Sequence, residues 1–188
     1  MSHLNKPRLV LDMYVLGQGV KTGVYRVCDE LFPRLARSAQ FETSYLLRKG
    51  FEAGSSEYIS DKQLPGKLIK AEQHPSGEGD ILFSPFGVPP DNWRDDGRVL
   101  QAHIIYDLIA IHRPDFFTPE AVTEVQNIIA GLNAASVIFA ISDFTKQDLL
   151  AYRPDLKSEQ ITVIPLAAAD TFQPCLSAEK KRAMRSRY

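Results

Sequence analysis

Cysteine is scarce: the 188 residues hold two, Cys28 and Cys175, far apart and in no metal-ligand spacing. A disulfide framework is therefore excluded as the organising principle, and a reduced, cytoplasmic compartment is the simplest reading. No apolar run approaches the roughly 20 residues that cross a bilayer. The opening residues Met-Ser-His-Leu-Asn-Lys-Pro lack the apolar core of a secretory signal. A peripheral contact at the inner face of the plasma membrane stays compatible with this. Basic residues are not in excess, since the formal net charge is −1, so the chain carries no footprint of a nucleic-acid binder. Several catalytic signatures are also missing. No Gly-Lys-Ser/Thr closes a phosphate loop, and no Gly-x-Ser-x-Gly marks a nucleophile elbow. Gly17-x-Gly19-x-x-x-Gly23 misses the dinucleotide spacing by one residue.

Short apolar runs alternate with amphipathic stretches instead. Residues 8–14 and 41–47 read as strands, as do 80–84, 99–105, 136–141 and 160–166. Three glycines in seven residues, Gly17, Gly19 and Gly23, follow the first run. They form a loop whose backbone can approach a ligand. Thr22 is placed to cap the helix that follows, whose apolar stripe is Val24, Val27, Cys28, Leu31, Phe32 and Leu35. Pro33 lies inside that stripe and predicts an irregularity. Residues 49–79 read as loop, with one short helix or strand near 67–71, and residues 91–97 as a polar turn. Thr118-Pro119-Glu120 is a strong helix start. Ser142 or Asp143 caps a further helix that Pro154 ends. Residues 167–174 read as irregular, and a basic helix begins near Ser177. Strands without clean alternation between helices predict an α/β fold: a Rossmann-like, three-layer domain with a mainly parallel sheet and helices on both faces.

In such sheets ligands gather beyond the carboxyl ends of the strands. The run from His103 to Pro114 leaves its strand through Tyr106-Asp107. Asp107 has three readings: general base, acceptor for a sugar hydroxyl, or loop cap. His103 reads as a core residue and His112 as a loop residue. Tyr14 and Tyr106 end strands that read as neighbours and line one crevice. The glycine loop offers backbone N–H groups at a helix N-terminus, with Lys21 and Arg26 adding positive charge.

Three segments resemble, in order, the N-terminal domain of family 4 glycosyltransferases of GT-B fold. Thr22-Gly23-Val24-Tyr25-Arg26, leading into Asp29-Glu30-Leu31, is similar to their glycine loop and first helix. Tyr106-Asp107-Leu108-Ile109 with Arg113-Pro114-Asp115-Phe116-Phe117 resembles their His-Asp-Leu-Ile-Pro…His-Pro-Glu-Phe-Phe segment. Here Tyr106 replaces the histidine and Ala110 the proline. Residues 141–149 and 163–174 are similar to the last helix and strand of that domain. The resemblance spans residues 8–174. It implies that residues 1–174 are a Rossmann-like acceptor-side domain, one half of a GT-B architecture. Residues 175–188 would then start a linker or helix toward a C-terminal donor-binding domain absent from this sequence.

The activity implied is transfer of a sugar, with retention of configuration, from a nucleotide-sugar to a glycan or lipid-linked acceptor in bacterial polysaccharide or glycolipid assembly. The nucleotide-sugar is then a substrate, no further cofactor is required, and no metal is needed. Carried over by residue, Gly19, Gly23 and Val24, with Arg26, meet the donor phosphate and acceptor. Asp107 is the catalytic carboxylate, and Tyr106, His112, Ser142 and Thr145 line the cleft. The resemblance further implies that the 188 residues alone transfer no sugar. The alternative reading is a non-catalytic Rossmann-like module that binds a nucleotide or a partner. A small dehydrogenase fits less well because of the glycine spacing.

Overall fold

In the computed structural model, which describes residues 6–72, 77–169 and 177–186, the apolar runs become strands. They are β1 (Arg8–Asp12), β2 (Glu42–Leu47), β3 (Lys67–Lys70), β4 (Ile81–Ser84), β5 (Leu100–Ile105), β6 (Val137–Ala140) and β7 (Ile161–Val163). The helices are α1 (Tyr14–Gly17), α2 (Gly23–Ala36), α3 (Glu52–Asp61), α4 (Asp91–Arg94), α5 (Ile109–His112), α6 (Pro119–Gly131), α7 (Asp143–Tyr152) and α8 (Ala178–Arg185). The strands form one sheet in the order β3-β2-β1-β4-β5-β6-β7, and every pairing is parallel. This is a Rossmann-like α/β domain. Among the described residues no helix is long and apolar enough to cross a membrane.

The three layers follow from the period of two along each strand. Leu9 and Leu11 of β1, Tyr45 and Leu47 of β2 and Ile104 of β5 turn to one face. There they meet Leu16 of α1, Cys28 and Phe32 of α2 and Tyr58 of α3. Val10, Leu46 and Leu82 turn to the other face, against Trp93 of α4. Farther along that second face, Ile105, Ile138 and Ile161 pack under Ile128 and Ile129 of α6 and Leu149 of α7. At the amino end of the sheet Arg8 donates through Nε to Asp80 Oδ1 at 2.8 Å, tying β1 to the entry of β4.

Several sequence expectations need correction. Residues 49–79 are not mainly loop. β3 lies where a short element was expected, but α3 fills much of the rest. Its polar run Gly54-Ser55-Ser56 resembles a turn, and the helix is held by packing rather than by an apolar stripe. Gly17 and Gly54 are the reason α1 and α3 can touch. A Cβ on Gly54 would lie 2.4 Å from the Gly17 carbonyl oxygen, and one on Gly17 would lie 2.4 Å from Ser55 Oγ. Gly17 therefore serves packing and ends a helical turn, so it is not part of a loop. Pro33 does not break α2, which continues to Ala36; so near the C-terminus it removes one backbone bond only. The polar turn at 91–97 begins with the helical turn α4, and Pro114 is preceded by another, α5. The strands are shorter at their ends than the apolar runs, with Tyr14, Phe41, Ser136, Ile141 and Leu166 all outside them. Cys175 and the resembling residues 170–174 lie outside the described residues, as do residues 1–5, 73–76 and 187–188.

Gly54→Ala provides a direct test of the α1–α3 contact. Helix propensity alone would favour alanine by about 0.5–1 kcal/mol. The clash with backbone is instead expected to cost about 1–3 kcal/mol net, read as a lowered midpoint in urea unfolding. A stabilised Gly54→Ala protein would contradict the contact.

Candidate functional site

The chain leaves β1 toward β2 and β3, then returns to β4 on the other side. The loops after β1 and β4 therefore diverge, and a crevice opens at the carboxyl ends of the strands. The resembling segments come out at this end.

Thr22 caps α2 as expected, its Oγ1 accepting from the Tyr25 amide at 3.1 Å. The Gly23 and Val24 amides, first in the helix, have no intrahelical carbonyl to bond. Gly19 has φ +69°, a conformation that favours glycine. Gly19, Gly23 and Arg26 are exposed, while Val24 is half-buried against the core. Tyr106 packs against that same core cluster.

Tyr106, Ser142 and Thr145 are brought together by hydrogen bonds. Thr145 Oγ1 donates to the Tyr106 carbonyl at 3.1 Å. That commits the threonine proton, so the contact between Ser142 Oγ and Thr145 Oγ1 at 2.9 Å has serine as donor. Ser142, not Asp143, caps α7: its Oγ accepts from the Thr145 amide at 3.0 Å. Asp107 is exposed, and its Oδ1 accepts from the Ile109 amide at 3.0 Å. One oxygen thus caps the turn α5. His112, on that turn, joins α7 instead, with Nε2 2.8 Å from Asp148 Oδ1 and its ring edge-on to Tyr152. The Tyr106 phenol is buried with no hydrogen-bond partner, and burial holds its pKa well above the ordinary tyrosine value. Its ring meets Phe86 at 6.4 Å between centroids. Tyr106, Asp107, Phe117 and Val125 line a largely apolar cavity of about 200 Å³.

Tyr14 and Tyr106 do not end neighbouring strands, because β4 separates β1 from β5. Tyr14 opens on a different and larger hollow, of about 590 Å³, between the ends of β1 and β2 and helix α6. Under it lies a network that sequence reasoning missed. Asp12 ends β1 and is 1% exposed. Arg48, just past β2, grips it with two parallel bonds, Nε to Oδ1 at 2.9 Å and Nη2 to Oδ2 at 2.6 Å. Nη2 also donates to the Val88 carbonyl at 2.7 Å. Ser84, ending β4, donates to Asp12 Oδ2 at 2.8 Å, and the Tyr14 amide donates to Oδ1 at 3.1 Å. Gly87, with φ +116°, passes so close to the Tyr14 ring that a Cβ there would lie 2.7 Å from Cδ1. The available signal was a charged or hydroxyl residue at the end of, or just past, each of three buried strands.

His103 is a core residue, as expected, 3% exposed in β5 beside Ser84. Neither ring nitrogen has a hydrogen-bond partner. Burial lowers its pKa to about 4, against the opposing pull of Asp12 and the Ser84 backbone. Among the described residues no three His, Cys, Asp or Glu side chains are grouped as metal ligands would be. Comparison of the chain with protein-family models, with curated proteins and with solved structures returned no match.

Proposed function

We propose that this chain is the acceptor-side domain of a retaining glycosyltransferase. The protein would move a sugar from a nucleotide-sugar to a glycan or lipid-linked acceptor in bacterial surface polysaccharide assembly. An acceptor carried on lipid would be met at the inner face of the plasma membrane. The observation that carries the reading is convergence. The α2 N-terminus, Tyr106-Asp107 and Ser142-Thr145, separate in sequence and similar to one family's motifs, all lie at the carboxyl end of one parallel sheet, and hydrogen bonds join the last two.

Glycosyl transfer develops positive charge on the sugar and negative charge on the departing diphosphate. In this reading the open amides of Gly23 and Val24, with the Arg26 guanidinium, stabilise the leaving diphosphate. Asp107 keeps one oxygen on the Ile109 amide and turns the other to the attacking hydroxyl, orienting it or accepting its proton. Tyr106 stands where the family has histidine. With its phenol buried it acts as a wall, and Thr145 fixes its carbonyl.

A second reading, the non-catalytic binding module, draws on the same Asp107 bond, since a capping aspartate needs no catalytic duty. Asp107→Asn separates the two in the protein from the whole reading frame. Asparagine keeps an acceptor oxygen for the Ile109 amide but cannot take a proton. Transfer is expected to fall about 100-fold with an unchanged melting temperature. Unchanged turnover would remove Asp107 from the catalytic group. The 188 residues alone are expected to transfer no sugar, and measured transfer by them would contradict the division of labour.

A further inference from the structure

The hollow bounded by Tyr14, Arg48 and α6 is built from residues outside the three resembling segments or in parts of them given no role. At about 590 Å³ it lies within the size range of small-molecule sites, roughly 300–1,000 Å³. Its wall is mixed: Glu120, Thr123, Glu124 and Asn127 on α6 stand across from Tyr14 and Arg48, with Val88 and Pro119 adding apolar surface, the pairing of polar groups and apolar patches that a sugar ring presents in turn. The two residues at the strand ends are held rigidly from behind. Arg48 spends Nε and Nη2 on Asp12 and Val88, which fixes its plane and, among the described residues, leaves Nη1 unspent. The Tyr14 ring is wedged edge-on against Phe51 at 5.4 Å, with the guanidinium 5.6 Å from its centroid. Burial first and then Glu124 hold the Tyr14 phenol above its ordinary pKa, while Arg48 is held up against its own burial chiefly by Asp12, with Glu124 adding a smaller pull.

The charges select the ligand. Among the described residues the hollow and its base hold one cation, Arg48, and three carboxylates, Asp12, Glu120 and Glu124. A phosphate or diphosphate would meet net repulsion. A divalent metal would lack a grouped set of ligands. An apolar ligand would strip water from carboxylates without replacing their hydrogen bonds. A neutral polyol suits the site: adjacent hydroxyls can accept from Arg48 Nη1 and Asn127 and donate to Glu120 and Glu124.

We propose that this hollow is a carbohydrate subsite that takes a neutral hexose unit of the acceptor. Only the assignment of that hexose to the acceptor rests on the glycosyltransferase reading. The donor diphosphate is then kept to the α2 N-terminus and out of this hollow.

The test uses the ¹⁵N-labelled chain titrated with methyl glycosides of glucose, mannose and galactose, and separately with inorganic phosphate. At least one glycoside is expected to give saturable shifts confined to the Tyr14 amide, the Arg48 Nε signal and the amides of Glu120, Thr123, Glu124 and Asn127. Phosphate should not move those signals. Glu124→Ala, a substitution on a helix surface, should weaken the glycoside about tenfold. No saturable shift with any of the three, equal affinity in Glu124→Ala, or displacement by phosphate would overturn the proposal. Glycoside binding here in a protein that transfers no sugar would leave the subsite standing and sink the transferase reading. Sugar transfer by the whole protein with an acceptor KM indifferent to Glu124→Ala would do the reverse.

Discussion

Replacing Arg48 with alanine is expected to destabilise the fold by about 3–5 kcal/mol, because it strands the Asp12 carboxylate in the interior. The Asp12 side chain has no exposed surface, and that of Arg48 is 15% exposed. Without the guanidinium, Asp12 keeps only the Ser84 hydroxyl and the Tyr14 amide, two neutral donors. The Val88 carbonyl loses its donor as well. Removing both members should do less harm than removing one, since no charge is then left unpaired. Urea unfolding of Arg48→Ala, and of Arg48→Met combined with Asp12→Asn, measures this. A single substitution costing under about 1 kcal/mol would mean that water reaches Asp12, as for an exposed pair.

The second large effect is a loss of stability in mild acid that traces to His103. Its folded pKa of about 4 lies below the ordinary value of 6.5, because burial disfavours the cation by more than Asp12 and the Ser84 backbone favour it. Above pH 6.5 both folded and unfolded chains hold the ring neutral, and stability is whole. As the pH falls through 6.5 the unfolded chain takes up the proton, while the folded chain takes it up only near pH 4. Between those values the fold should lose about 3 kcal/mol from this residue, with no further loss from it below. Asp29, held below the ordinary carboxylate range by Lys62 and Tyr58 against its own burial, adds a loss at lower pH. His103→Leu isolates the histidine by filling similar space without a titrating group. The variant's stability should be flat between pH 6.5 and 4 and no lower than wild type at pH 7. Parallel pH profiles for the two proteins would contradict the assignment.

The fold was legible where local signals were strong. Thr22, Thr118 and Ser142 each cap a helix through the side-chain oxygen. Apolar runs bounded by Pro and Gly became the strands of a parallel sheet. The reading failed at α3, where stability comes from a Gly17–Gly54 approach between chain segments far apart in sequence, a contact that no periodicity encodes. It failed for the same reason at Asp12, Arg48 and Ser84. The bonds joining Arg48 and Ser84 to Asp12 bridge 36 and 72 residues. They exist only once parallel register sets the ends of β1, β2 and β4 side by side. Of the site, the Tyr106–Thr145–Ser142 chain was visible because its members lie in motifs. The hollow above Arg48 was not, because α6 supplies its far wall through tertiary packing.

The glycosyltransferase reading stands or falls on the stereochemistry of transfer. The protein from the whole reading frame, given uridine, guanosine, adenosine and thymidine diphosphate sugars with methyl glycosides as acceptors, should release nucleoside diphosphate from one donor. NMR of the product should show a new linkage with the donor's anomeric configuration retained. Release from none of the donors, or an inverted linkage, would contradict it.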